Sequence, residues 1–200
     1  LGPHALNIGY NDTAGLTSMG SISTVLPLVS ANIRGESVKP WVVQEIDGLR
    51  VGITGISVSG LSFLETPGFE IGDPFRQGRQ VLEEMAAETD LVVLLAFREP
   101  KAARKLAQTG LVDVVIDTNL HRESYPPVFV GEALWVRSHF QSMRLGELRL
   151  GLDEGEIQWA VERKIDLDLE LPPHPEQTTL LRAASDEVKA IQLEAFGREL

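Results

Sequence analysis

Asp117, Thr118, Asn119 and His121 bring a carboxylate, a hydroxyl, an amide and an imidazole to the end of one apolar run. Carboxylate and imidazole can ligate a divalent metal or move a proton, while hydroxyl and amide can hold a ligand by hydrogen bonds. Arg98, Arg122 and Arg137 form a second set, because guanidinium groups bind phosphate or carboxylate bidentately and could make an anion pocket with Asn119. A third set, Gly9-Tyr10-Asn11-Asp12, follows another short apolar run and offers a phenol, an amide and a carboxylate. Each has a structural reading beside the chemical one. Asn11 and Asp12 are residue types that brace turns. An isolated histidine such as His121 or His139 is more often a surface or core residue than a ligand, since a metal needs three or four partners.

These residues need elements to hold them. Val112, Val114, Val115 and Ile116, within Leu111 to Glu123, make a β-branched run suited to a strand buried on both faces, and open α/β sheets place chemistry beyond the carboxyl ends of such strands. Asp90 to Phe97 reads as a second buried strand. Val81, Leu82, Met85 and Ala86 have helical spacing within Phe75 to Thr89, and Pro100 suits the first turn of a helix through Gln108 closed by Gly110. Helix and strand alternating in this way predict parallel βαβ units.

Ala5 to Gly9 and Leu26 to Ile33 read as further strands, with Asn11 to Gly20 a loop. Asp47-Gly48 between Trp41–Ile46 and Leu49–Ile56 predicts a two-residue hairpin. Ser57 to Pro74, rich in glycine and proline, reads as a long ordered loop. After Pro126-Pro127 the pattern becomes strands alone: Val128–Val130, Ala133–Ser138, Leu145–Leu152 and Ile157–Ile165. Pro172-Pro173-His174-Pro175 ends them, and an amphipathic helix follows from Gln177 to Phe196.

Composition narrows the function. A formal net charge of −11 without a Lys/Arg cluster argues against nucleic acid as a partner. The absence of cysteine removes thiolate nucleophiles and sulfur ligands. Ser30 and Ser57 lack the flanking glycines of a nucleophile elbow, and Gly9, Gly15 and Gly20 do not form a dinucleotide fingerprint. No apolar stretch approaches the ~20 residues that span a bilayer. Leu1 stands where an initiator Met would, and Leu1-Gly2-Pro3-His4 lacks the regions of a signal peptide, so the expectation is a piece of a longer chain.

Several strings, in order, resemble the metallophosphatase domain of the 5′-nucleotidase family. Leu26-Pro27-Leu28-Val29-Ser30-Ala31-Asn32-Ile33 is similar to that family's Phe-Pro-x-Leu-Ser-Ala-Asn strand, and Trp41 to Gly55 to its following hairpin. Val112-Asp113-Val114-Val115-Ile116 resembles the strand that leads to its Gly-His-x-His metal motif, and Arg144-Leu145-Gly146-Glu147-Leu148 its later Tyr-Leu-Gly-x-Leu segment. The resemblance implies an α/β fold, a calcineurin-like sandwich of two mixed β-sheets flanked by helices, with the N-terminal part missing. It implies a domain over residues 1–171, followed by a proline-containing linker and connector helix over 172–200, with further domains of the same chain beyond. An extracytoplasmic location, periplasmic or at the cell envelope, is also implied.

In that family two divalent metals of Mn, Zn or Fe type activate a water against a phosphate ester. Aligned with that family, the Gly-Asn-His-Glu motif falls on Gly9-Tyr10-Asn11-Asp12, so its metal-ligand Asn becomes Tyr10, its His becomes Asn11 and its Glu is shortened to Asp12. The isolated ligand histidine after the next buried strand falls on Phe97 or Arg98. The Gly-His-x-His motif falls on Thr118-Asn119-Leu120-His121, leaving His121 as the one remaining ligand candidate. Phenylalanine offers no donor and a neutral amide is a weak one, so no cofactor and no catalytic residue are expected. The expectation is a non-catalytic binding or scaffolding module whose partner is a small anionic ligand or a protein. The alternatives are an active metal-dependent phosphoesterase with ligands partly outside this stretch, and an anion or nucleotide binding protein using Arg98, Asn119, Arg122 and Arg137.

Overall fold

The computed structural model describes residues 2–9, 12–13, 16, 26–58, 67–118, 126–138, 144–153, 155–167 and 175–196. Two compact units divide it, Leu1–Ile165 and Asp166–Leu200.

The first unit is organised on a six-stranded mixed sheet. Its strands are β4 (Val42–Ile46), β5 (Leu49–Ser57), β7 (Leu91–Phe97), β8 (Val114–Asp117), β10 (Ala133–Arg137) and β9 (Val128–Val130), adjacent in that order. Asp47 and Gly48 take φ of 51° and 82°, the mirror-image turn expected of Asp-Gly, and pair β4 antiparallel to β5. From β5 to β7 to β8 the pairing is parallel, with α1 (Pro74–Ala86) and α2 (Pro100–Ala107) as the crossovers. The hairpin β9–β10 then brings β10 parallel to β8, so the later strands complete the same sheet.

Local signals explain both helices. Asp73 caps α1 by accepting the Arg76 amide at 2.7 Å, Glu99 caps α2 by accepting the Ala102 amide at 3.3 Å, and a proline opens each. Val81, Leu82 and Met85 of α1 and Ala102, Ala103, Leu106 and Ala107 of α2 are buried with Ile56, Leu94, Val115 and Trp135 of the sheet. Each fully buried large side chain contributes about 1.5–3 kcal/mol. The small residues of α2 let it approach closely, and Leu106 reaches Gly78 of α1, where a Cβ would stand 2.9 Å from it.

The opposite face of the sheet carries the remaining short strands. β1 (Leu6–Asn7) pairs parallel with β2 (Leu28–Val29), and β3 (Ile33–Arg34) antiparallel with β6 (Glu70–Ile71). Ile8, Leu16, Leu28 and Ile33 form their own core. The strand expected over Leu26 to Ile33 is broken into β2 and β3, because the Ser30 hydroxyl accepts the Ile33 amide and bends the chain. The loop expected over Ser57 to Pro74 contains β6, which is held through the Gly72 amide bonded to the Asn32 carbonyl. Among the described residues this second layer contains the pairs β1–β2 and β3–β6. The Ala31 amide donates to the Gly55 carbonyl at 2.7 Å and ties this layer to β5. β11 (Arg144–Asp153) and β12 (Glu156–Asp166) form a separate two-stranded ribbon.

The second unit is built on α3 (Pro175–Phe196). Its Leu180 and Leu181 are exposed, so the apolar stripe seen in the sequence is open along this stretch. Among the described residues no helix is long and apolar enough to cross a membrane.

Candidate functional site

The described candidate residues lie at the carboxyl ends of β1, β7, β8 and β10. Asn7 fixes how β1 meets the sheet. Its Nδ2 donates to the carbonyls of Ile56 at 3.0 Å and Leu95 at 3.2 Å, and its side chain lies over Gly55, in the space a Cβ would fill. Two residues on, Gly9 meets the ring of Phe97, which lies 2.5 Å from the position of a Cβ on Gly9. The Asp12 carboxylate turns back to accept the Gly9 amide at 2.7 Å, while the Asp12 amide donates to the Gly9 carbonyl at 3.0 Å. The first is a side-chain bond and the second a backbone turn bond, and together they brace the turn after β1.

Asn32 performs the same service at the end of β5. Fully buried, it accepts the Ser57 amide at 2.8 Å through Oδ1 and donates through Nδ2 to the carbonyls of Ser57 and Gly72 at 2.9 and 3.1 Å. The Ser57 hydroxyl and Asn7 Oδ1 beside this network are buried and make no hydrogen bond.

At the tip of β7, Arg98 has φ of 55°, a left-handed conformation uncommon outside glycine, and its side chain is exposed. Across from it, Thr118 donates both its amide and its hydroxyl to the Ala96 carbonyl, at 3.0 and 2.7 Å, and so finishes β8. Asp117 turns to the other face of the sheet, the one covered by the helices. There it sits opposite Arg137, whose Nε lies 3.8 Å from its Oδ2. Arg104 of α2 stacks over the Trp135 ring at 5.6 Å. Burial pushes the Asp117 carboxyl up from its ordinary range, and Arg137, Trp135, the Thr118 amide and Arg104 oppose that rise without cancelling it. The buried Trp135 indole faces this carboxyl too far off for a full hydrogen bond, yet its N–H still favours the charged form.

The sequence-derived candidates therefore separate. Asp12 and Phe97 are brought together over Gly9. Asp117 and Arg137 pair with each other on the helix face, which ties the Arg137 charge to a carboxylate. Tyr10, Asn11, Asn119, His121, Arg122 and His139 lie outside the described residues. Asn7, Asn32 and Trp135 were not singled out by sequence reasoning, although a lone amide between apolar neighbours, as in Leu6-Asn7-Ile8, signals a buried polar contact.

The donor chemistry can be tested against a pair of divalent metals. Such a site needs several carboxylates or imidazoles aimed at one point. Here one oxygen of Asp12 accepts the Gly9 amide, Phe97 offers only a ring, and the buried Ser57 hydroxyl and Asn7 Oδ1 nearby are neutral oxygens. Among the described residues no three histidines, cysteines, aspartates or glutamates gather as a metal-binding group. Among the described motif positions, Asp12 and Phe97 do not by themselves supply such a donor set.

No protein-family model and no curated protein matches the sequence. Solved structures do match. The sulfate thiohydrolase SoxB of Thermus thermophilus, solved with glycerol, aligns over 98% of this chain and 37% of its own, with a TM-score of 0.76 at 18% identity. A 5′-nucleotidase precursor, also from Thermus thermophilus, aligns over 94% of this chain and 43% of its own, with a TM-score of 0.73 at 20% identity. A putative 5′-nucleotidase from Staphylococcus aureus, solved with alpha-ketoglutarate, aligns over 91% and 42%, with a TM-score of 0.68 at 15% identity. The chain spans less than half the length of each of these proteins. The likeness is one of fold: this chain is an α/β domain with the calcineurin-like architecture of the 5′-nucleotidases and SoxB.

Proposed function

We propose that this domain has kept the metallophosphatase-like fold without its dimetal chemistry and serves as a non-catalytic binding or scaffolding module. The observation that carries this reading is the contact of the Phe97 ring with Gly9, beside an Asp12 carboxylate one oxygen of which accepts the Gly9 amide. An apolar ring fills the ground where a ligand would have to reach. The partner is a small anion or a protein. Exposed Arg98, held at the β7 tip in a left-handed conformation, favours the anion, with Asn119 and Arg122 as further candidate contacts. We place the module outside the cytoplasm, in keeping with the solved 5′-nucleotidase that is described as a precursor.

Purified protein, loaded with Mn, Zn or Fe and then desalted, is expected to retain far less than one metal per chain and to leave p-nitrophenyl phosphate intact. Stoichiometric metal together with metal-dependent hydrolysis would establish a phosphoesterase in its place. A melting temperature raised by phosphate, a nucleotide or a dicarboxylate, and no longer raised in Arg98→Ala, identifies the anion as the ligand class.

A further inference from the structure

An open groove of about 440 Å³ has His4, Pro27, Lys39, Trp41 and Val43 in its lining, a volume within the range of small-molecule sites. Main-chain bonds fix its walls and leave the side chains to the groove. The Pro27 carbonyl accepts the Leu6 amide at 2.9 Å, which pins Pro27 to the start of β1. The Lys39 amide donates to the Leu28 carbonyl and the Lys39 carbonyl accepts the Ser30 amide, each at 3.0 Å. The Pro40 carbonyl accepts the buried Thr54 hydroxyl at 2.6 Å and so sets how the chain passes through Trp41 into β4. A ligand therefore meets a backbone already ordered, which spares much of the entropy cost of binding.

The charge of the lining has one sign. In a chain of net charge −11, Lys39 and His4 face this groove, and no described aspartate or glutamate does. The Lys39 side chain is exposed and enters none of the ion pairs formed among the described residues. Its ammonium offers three donors, and the His4 imidazole offers an N–H in either charge state. The apolar part of the lining comes from Trp41, half-buried against the helix-side core, with Pro27 and Val43. An indole face takes a second aromatic ring in an offset stack, and an ammonium pairs with a carboxylate by charge-assisted hydrogen bonds. A cationic ligand would be repelled by Lys39, and a divalent metal would find no carboxylate here.

We propose that this groove binds a small aromatic carboxylate, with its ring on Trp41 and its carboxylate on Lys39 and His4. The groove lies at the amino end of β1, which His4 precedes, whereas Gly9 and Asp12 of the candidate site follow the carboxyl end of the same strand. The site therefore stands independently of the binding-module reading.

Three probes separate the ring from the charge. In calorimetric titration 2-naphthoate is expected to bind the unmodified chain with a Kd on the order of 100 µM. Cyclohexanecarboxylate keeps the charge without the aromatic ring, and 2-naphthamide keeps the rings without the charge; each is expected to bind about tenfold more weakly or worse. Lys39→Gln keeps the main-chain bonds that fix the wall, and it should weaken 2-naphthoate about tenfold while leaving 2-naphthamide unchanged. In nitrogen–proton correlation spectra 2-naphthoate should move the Trp41 indole signal and leave the Arg98 amide in place. The proposal is overturned by absence of 2-naphthoate binding at millimolar concentration, by equal affinity in the parent and Lys39→Gln, or by equal affinity for the three probes. Movement of the Arg98 amide without the Trp41 indole also overturns it, because the aromatic anion would then sit at the strand tips. The comparison of probes needs no variant, so it decides even if Lys39→Gln fails to fold.

Discussion

The ring of Phe97, at the end of β7, lies against Gly9 so closely that a Cβ on residue 9 would stand 2.5 Å from the ring. Contact at that distance forces either the ring or the β1 turn to move. Gly9→Ala is therefore expected to destabilise the fold by about 1–3 kcal/mol, the usual effect of overpacking. Adding Phe97→Leu, which shortens the opposing side chain, should recover much of the loss. Urea denaturation of both single variants and the double one measures the coupling, and purely additive effects would refute this contact.

Asn32 connects three chain segments with one amide. Its Oδ1 accepts the Ser57 amide while Nδ2 donates to the Ser57 carbonyl, both bonds buried, and to the half-buried Gly72 carbonyl. Asn32→Ala strands these partners without replacement, and a loss of about 2–4 kcal/mol is expected. Hydrogen exchange should locate it: the Ser57 amide loses protection more than amides of β8, whereas a uniform change would mean that Asn32 does not act locally.

Two carboxyls set the acid response. Burial pushes Asp113 above its ordinary 3.8, with the Val92 amide pulling only partly the other way, and Asp117 is raised likewise. A carboxyl raised in the fold binds more protons in the native state than in the unfolded one. Its destabilising charge is fully present above the folded pKa and gone below the unfolded value, so stability from these groups rises as pH falls across the window upward from 3.8. Asp90 behaves oppositely, since the Arg50 amide and then its charge hold its carboxyl low; that contribution is lost as pH falls through the lowered folded value. In Asp113→Asn the amide oxygen can still accept the Val92 N–H while the titration is removed. Relative to this variant, the parent should gain stability between pH 7 and pH 4; a constant difference across those pH values would rule the assignment out.

How much of this was legible in the sequence depended on whether the signal was local. The hairpin at Asp47-Gly48, the capped helices opening at Pro74 and Pro100 and the parallel strands of Leu91–Phe97 and Val114–Asp117 all follow from residue types within a few positions. The break between β2 and β3 was less visible, because Ser30 bends the chain only when its hydroxyl finds the Ile33 amide. At the candidate site the sequence named Phe97, Asp12 and Gly9 but not the contact between Gly9 and Phe97, which joins segments far apart in the chain. Nor could alternation alone say that Asp117 would face the helices and Arg137. That required β10 to lie parallel beside β8, a pairing between segments separated by the chain around Pro126-Pro127.

That pairing gives the last prediction. Asp117 is buried, while Arg137 is 28% exposed and 3.8 Å away, so their attraction is partly screened by solvent. Arg137→Met leaves a carboxylate in an apolar setting with less to oppose its desolvation, at an expected loss of about 1–3 kcal/mol at neutral pH. The carboxyl should rise further and take up a proton more readily, so the loss should shrink as pH falls toward 4. Asp117→Asn in the same chain removes the uncompensated charge and should restore most of the stability at pH 7. Denaturation of the two single variants and the double variant at pH 7 and pH 4 separates these effects. If Arg137→Met proves equally harmful at both pH values and Asp117→Asn gives no recovery, Arg137 acts through packing on its strand and not through its charge on Asp117.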